Sequence, residues 1–232
     1  MSFDPIYFLT PIIVMVFSFG MVYKLVKSIK VLMFSALAYF IAIVLKVLVQ
    51  FFTLGYLASI NSLAVLGLYY GLQTSIFEVG LAYVFALLGK LKNGWGYGVS
   101  LAMWENGVLI SIPTLFIYIA YYFFPLILST PSQLEYPITQ ALPLIGLSIL
   151  ERVSSLLIHS SWGYLSVLSV ITGRKRLILV AFPMGFVDFL VPFEKYLGIL
   201  TFEFIFFCIG LICLVMAWSL GKYYRSTSSK DT

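Results

Sequence analysis

The sequence predicts an all-α fold, a polytopic bundle of transmembrane helices, on three observations. Charged residues make up 10% of the 232-residue chain, where soluble domains carry about 25%. Mean hydropathy is +1.05, more apolar surface than one soluble core can bury. Apolar stretches long enough for a bilayer crossing recur along the chain. The alternating apolar and polar segments of a β-barrel are absent from the sequence.

Eight segments follow in order. The first, about residues 5–26, begins behind Asp4 without a basic leader or a small-residue cleavage site. It therefore reads as a retained helix and not a signal peptide. The second, about 31–53, contains Lys46, and the third, about 55–71, is short. The fourth, about 73–90, ends at Lys90 and Lys92. The fifth runs from about 95 toward 124, with Pro113 as an expected kink. The polar stretch Ser129 to Pro137 reads as a loop. The sixth, about 140–171, ends at the basic run Arg174 to Arg176; the seventh is about 177–192 and the eighth about 199–220. Seven is the alternative count, if the short third segment does not cross. Residues 1–222 read as one bundle domain and 223–232 as a polar cytoplasmic tail.

Basic residues orient such a chain. With eight crossings, Lys46, Lys90, Lys92, Arg174, Lys175, Arg176, Lys222, Arg225 and Lys230 face the cytoplasm, against Lys24, Lys27, Lys30 and Lys195 outside. That bias predicts an integral protein of the cell membrane with both termini cytoplasmic. With seven crossings the N-terminus lies outside, and Lys24, Lys27 and Lys30 move inside. The net charge of +5 is thus a topology signal, and the expected partner is the bilayer, not nucleic acid. Cys208 and Cys213 lie five apart in one apolar run, so they read as small hydrophobes and not as a disulfide.

Ionisable residues inside apolar segments need partners or water, because a lone charge in hydrocarbon costs several kcal/mol. Glu78, Glu105, Glu151, Arg152, His159, Asp188 and Glu203 are so placed. Glu203 stands near a segment start and reads as a membrane-edge residue. Arg152 and His159 are seven apart and share a helix face; Glu151 and Ser155 extend the polar stripe. His159 is the single histidine in the chain. It suits a general base, a metal ligand or a donor to a buried carboxylate. A structural ion-pair network is the plainer alternative. Zinc usually takes more than one imidazole, and no HExxH motif is present. A serine nucleophile at Ser155 or Ser160 lacks the strand-turn-helix elbow that would activate it.

Four motifs between residues 77 and 188 come in a recognisable order. They are FEVGLAY with Glu78 and Tyr83, YGVSLAMWEN with Glu105 and Asn106, ERVSSLLIH with Glu151, Arg152 and His159, and MGFVD with Asp188. In this order they resemble the YhfC-type intramembrane metalloproteases, relatives of the CAAX-prenyl-protease-like and PrsW-like membrane peptidases. The third motif matches fully. Elsewhere Val79 replaces a second glutamate, Ala82 an arginine, and Leu101 and Met184 two histidines. Leucine and a thioether cannot replace imidazole as ligands for a hard, water-activating ion, so the resemblance speaks for fold more than chemistry.

The resemblance implies a peptidase-like protein that cleaves a membrane-associated peptide, either transmembrane or lipidated. Glu78, Glu105, Glu151 and His159 are the catalytic candidates. His159, Glu105 and Glu78 are the metal candidates, with zinc as one candidate ion. Arg152, Asp188 and Asn106 would orient them. The alternatives are a catalytically degenerate bundle that binds a helix or lipid, and a small transporter, for which no inverted repeat is visible.

Overall fold

A computed structural model describes residues 4–124 and 138–228. The loop expected at Ser129 to Pro137 and the end of the tail lie outside the described residues. Among those described, seven helices are long and apolar enough to cross a membrane. They are α1 (Pro5–Leu25), α2 (Ile29–Ser59), α3 (Leu63–Leu88), α4 (Gly94–Phe123), α5 (Ile138–Thr172), α6 (Arg176–Leu197) and α7 (Ile199–Tyr224). The all-α membrane bundle stands, with the seven-segment count. The partition into eight ends a helix near residue 53 and another near 71, where the chain continues. Polar residues that resemble boundaries are instead paired inside the bundle. Gln50 Nε2 donates to Gln73 Oε1 at 2.9 Å, and the Thr53 and Tyr69 hydroxyls bond at 2.6 Å. The last helix also runs past the expected tail boundary, to Ser228.

Short, capped connections make neighbouring helices antiparallel. Ser28 caps α2 by accepting from Lys30 N at 3.3 Å, and Ser62 caps α3 by accepting from Val65 N at 3.4 Å. The α2–α3 turn passes through Asn61 at φ 52°, and the α6–α7 turn through Gly198 at φ 75°. Asn93 does two jobs at the start of α4. Its Oδ1 accepts from Gly96 N at 3.0 Å, and its Nδ2 donates to Leu25 O at 2.7 Å, tying the end of α1 to α4.

Contacts at each end of the bundle confirm the alternation. On one face Trp95 stacks on Tyr164 with ring centroids 4.2 Å apart, and the Arg174 guanidinium lies 4.6 Å over the Tyr224 ring. On the other face Phe8 of α1 meets Tyr122 of α4 edge-on at 6.1 Å. Helices in lipid associate by close packing, since lipid tails are as apolar as leucine. Small residues therefore mark the tightest crossing. A Cβ on Gly163 of α5 would strike the backbone of Gly98 in α4, and one on Gly98 would strike the backbone of Ser160. This crossing sets the distance between the helices that carry Glu105 and His159.

Candidate metal centre

Two of the seven helices widen where a carboxylate enters the interior. Thr74–Val79 of α3 and Trp104–Ser111 of α4 are π-helical turns. The Gly80 N–H reaches Ser75 O, and the Ile112 N–H reaches Gly107 O, each five residues back. Ser111 Oγ also donates to Asn106 O at 2.6 Å and braces the second turn. Such turns concentrate at functional sites because the extra residue re-aims the side chains around it. The first carries Glu78 and the second Glu105. The irregularity expected at Pro113 thus lies in the turn before it. Asp188 is likewise off the regular helix, in the 3₁₀ stretch Phe186–Phe193. His159 rides on regular α-helix in α5.

These elements bring three side chains together. His159 Nε2 lies 2.9 Å from Glu105 Oε2 and 3.2 Å from Glu78 Oε2. The other ring nitrogen fixes the tautomer: Nδ1 lies 2.9 Å from Ser155 O, and a carbonyl only accepts, so Nδ1 carries its hydrogen. Nε2 then confronts two carboxylate oxygens with a lone pair unless a cation stands between them. A proton on Nε2 satisfies the arrangement, and so does a metal ion.

The donor set fits a divalent ion. The ligand atoms of Glu78, Glu105 and His159 all lie within 4.8 Å of one another. Ligands bonded at about 2.1 Å to one ion at tetrahedral or octahedral angles stand roughly 3.0–3.4 Å apart. The two carboxylate-to-imidazole separations, 2.9 and 3.2 Å, lie close to that spacing. Two carboxylates and one imidazole suit several divalent ions and do not single out zinc.

Protein cations hold the outer oxygens of both carboxylates. Lys46 Nζ lies 2.5 Å from Glu78 Oε1 and 3.7 Å from an Asp188 oxygen. Arg152 Nη1 lies 3.3 Å from Glu105 Oε1, and Ser155 Oγ donates to that oxygen at 3.2 Å. Asn106 is fully buried; its Nδ2 donates to Arg152 O at 2.9 Å and its Oδ1 accepts from Arg152 Nη1 at 3.4 Å. The Thr74 hydroxyl donates to Asp188. Tyr39 and Trp162 enclose His159, with ring centroids 6.3 Å and 4.2 Å away.

Glu78, Glu105 and His159 therefore converge as expected. Arg152, Asn106 and Asp188 stand around them. Glu151 does not join the cluster: it pairs with Arg152 Nη2 and is half exposed along the cavity. Leu101 and Met184 are buried in the apolar core. Sequence reasoning placed Lys46 within the second segment but counted it only as a cytoplasmic charge, and so missed it as a site residue. The signal was present, for Lys46 is flanked on both sides by unbroken apolar residues. The cluster lines a cavity of about 400 Å³ that extends past Arg152 and Asp188 to Glu194, Ile199 and Glu203.

Comparison of the chain with family models, with curated proteins and with solved structures gave no match. Fold and site together define the class: a multi-spanning membrane helix bundle with a buried Glu–Glu–His cluster able to coordinate a divalent metal ion.

Proposed function

We propose that the protein is a metal-dependent intramembrane hydrolase acting on the peptide bond of a membrane-associated substrate. The convergence of Glu78, Glu105 and His159 deep in the bundle, beside a cavity, carries the reading. The peptide as substrate rests on the motif order that resembles the YhfC-type proteases. Zinc is one candidate ion on the same ground.

Glu78, Glu105 and His159 would hold the ion. A bound divalent ion supplies Lewis acidity toward a carbonyl and toward water. The chain's own groups do the rest. Ser155 O orients the imidazole so that Nε2 faces the cavity. Lys46 grips Glu78 Oε1 at 2.5 Å, whereas the contacts on Glu105 Oε1 are 3.2 Å and longer. Glu105 Oε1 is thus the less tightly held of the two outer oxygens and, with Oε2 turned to the ion, would serve as the base. It accepts the proton of the attacking water as the new C–O bond forms, then delivers it to the amide nitrogen as the C–N bond breaks. Arg152 balances the charge of Glu105, and Asn106 keeps Arg152 in place. A second cavity of about 190 Å³, lined by Thr10, Ser111, Thr114 and Ser148, also reaches Arg152 and Glu151.

Charge placement orients this machinery. Lys24, Lys27, Lys30, Lys90, Lys92, Arg174, Lys175, Arg176 and Lys222 cluster at one face of a seven-span bundle. At the other face Lys195 is the one basic residue among the described residues. The positive-inside rule then puts the basic face and the C-terminus in the cytoplasm of a cell, and the N-terminus outside. An odd number of crossings leaves the expectation that both termini are cytoplasmic without support.

A second reading is a catalytically silent bundle that binds a helix or lipid. The Lys46 ammonium favours it, because it already neutralises Glu78. Elemental analysis of detergent-purified protein by inductively coupled plasma mass spectrometry separates the two. The hydrolase reading expects about one equivalent of divalent metal, lost in Glu105→Gln and in His159→Ala. Metal-free, monodisperse protein that takes up no added ion leaves the silent bundle. Metal without cleavage of any peptide in a membrane-substrate panel removes the peptidase assignment alone.

A further inference from the structure

Glu203 stands in the first turns of α7 at 5% exposure, and its Oε2 is buried with no hydrogen-bond partner among the described residues. The neighbouring carboxylates of the cavity differ. Glu78 and Asp188 are matched to Lys46, and Glu105 and Glu151 to Arg152. Both interior cations are thereby committed, and Glu203 pairs with neither. A buried carboxylate without a donor is costly, and native structures retain such a group where something else satisfies it. Glu203 lines the main cavity where it approaches the α6–α7 turn, together with Glu194, Ile199 and Phe202. Two carboxylates beside apolar side chains form a surface that attracts an organic cation with a hydrocarbon stem.

We infer that Glu203 is a binding site for an ammonium group of the substrate, at the mouth by which that substrate enters the cavity. The inference rests on the proposed hydrolase reading only for the word substrate. The site holds for any amine-bearing ligand of the cavity. The mouth lies on the face opposite the basic loops, so the ligand arrives from outside the cell or from the outer leaflet. Two sources share the chemistry: a free peptide N-terminus and a lysine side chain. Either would seat its charge at Glu203 while the chain beyond it runs along Ile199 and Phe202 toward the Glu78, Glu105 and His159 cluster.

The test uses the full chain in lipid nanodiscs, treated with EDTA so that turnover adds no heat. The probes are four tetrapeptide amides on one leucine-rich frame. The first has a free N-terminus and the second is acetylated; the third and fourth are acetylated with lysine or norleucine at one position. Isothermal titration calorimetry should show at least one cationic probe binding about tenfold or more tightly than its neutral partner. Glu203→Gln should abolish that preference. Glu203→Asp keeps the charge but withdraws it by one methylene, so it should weaken the cationic probe and leave the neutral one unchanged. Which pair shows the preference identifies the amine. Equal binding within both pairs, a preference that survives Glu203→Gln, or no binding of any probe overturns the inference. Hydrolysis is scored separately on metal-loaded protein. A charge preference without hydrolysis leaves this site standing and removes the peptidase reading. Hydrolysis that is blind to charge does the reverse.

Discussion

Lys46 Nζ lies 2.5 Å from Glu78 Oε1, an ion pair that joins α2 to α3 within the membrane-spanning bundle. Lys46 is also the nearest cation to Asp188, at 3.7 Å. Lys46→Met keeps most of the apolar stem and removes the charge. Stranding a buried partner in this way costs about 3–5 kcal/mol. The apparent Tm of the detergent-solubilised variant should fall accordingly, read by tryptophan fluorescence. The variant should also regain stability on addition of a divalent ion, which would take over neutralisation of Glu78. Saturation at a hundredfold excess over Kd returns about 2.7 kcal/mol. A variant as stable as its parent would show that the pair does not form.

The π-helical turn at Trp104–Ser111 gives a second test. A π-turn holds one residue more than the α-helical turn it replaces. Deleting Leu109, a lipid-facing residue in that turn, should restore regular α-helix. The two ends of α4 then keep their register, while Glu105 rotates relative to the residues that follow. The deletion variant should be produced and remain monodisperse, with its divalent-metal affinity lowered at least about tenfold through loss of one carboxylate ligand. Undiminished affinity would mean that the widened turn does not aim Glu105.

The Gly98 and Gly163 crossing predicts linked losses. Gly98→Ala places a methyl group against Ser160 backbone, which has no side-chain freedom with which to yield. Overpacking of this kind costs roughly 1–3 kcal/mol. Separating α4 from α5 also separates Glu105 from His159, so metal affinity should fall with Tm. Gly146→Ala in α5, where an added Cβ meets nothing, is the control and should lower neither. Gly98→Ala with unchanged metal affinity would show that the crossing does not set the ligand spacing.

The residues themselves explain how much was legible in sequence. Glu78, Glu105 and His159 stood out because ionisable groups in apolar runs require partners, and all three meet. Glu151 was equally conspicuous, yet it pairs with its neighbour Arg152 and turns toward the cavity rather than the cluster. Sequence spacing gives an angle on one helix but not the distance to another. Lys46 was misjudged because, although placed inside the second segment, it was weighed only as a topology charge and not as an ionisable group among apolar flanks. The π-turns were invisible because backbone hydrogen-bond register is not written in residue type. The eight-segment partition put breaks near residues 53 and 71, inside helices that continue and whose Gln50 and Thr53 bond across to Gln73 and Tyr69.

Orientation is the last prediction, and it decides from which side the cavity fills. Seven crossings with the basic loops inside place the α2–α3 turn outside and the α3–α4 turn in the cytoplasm. Asn61 stands in the first turn and Lys92 in the second. Cys208 and Cys213 are both free, so a background with serine at each removes competing thiols. On that background, Asn61→Cys should react in intact cells with a membrane-impermeant maleimide. Lys92→Cys should react only after the membrane is permeabilised. Lys195→Cys serves as a third reporter, and should label like Asn61→Cys. This pattern puts Glu194 and Glu203 on the external side of the Glu78, Glu105 and His159 cluster, and a substrate must then approach from outside. The reverse pattern would turn the cavity mouth toward the cytoplasm. The charge-based orientation would then be wrong, while the cluster and its partners would be untouched.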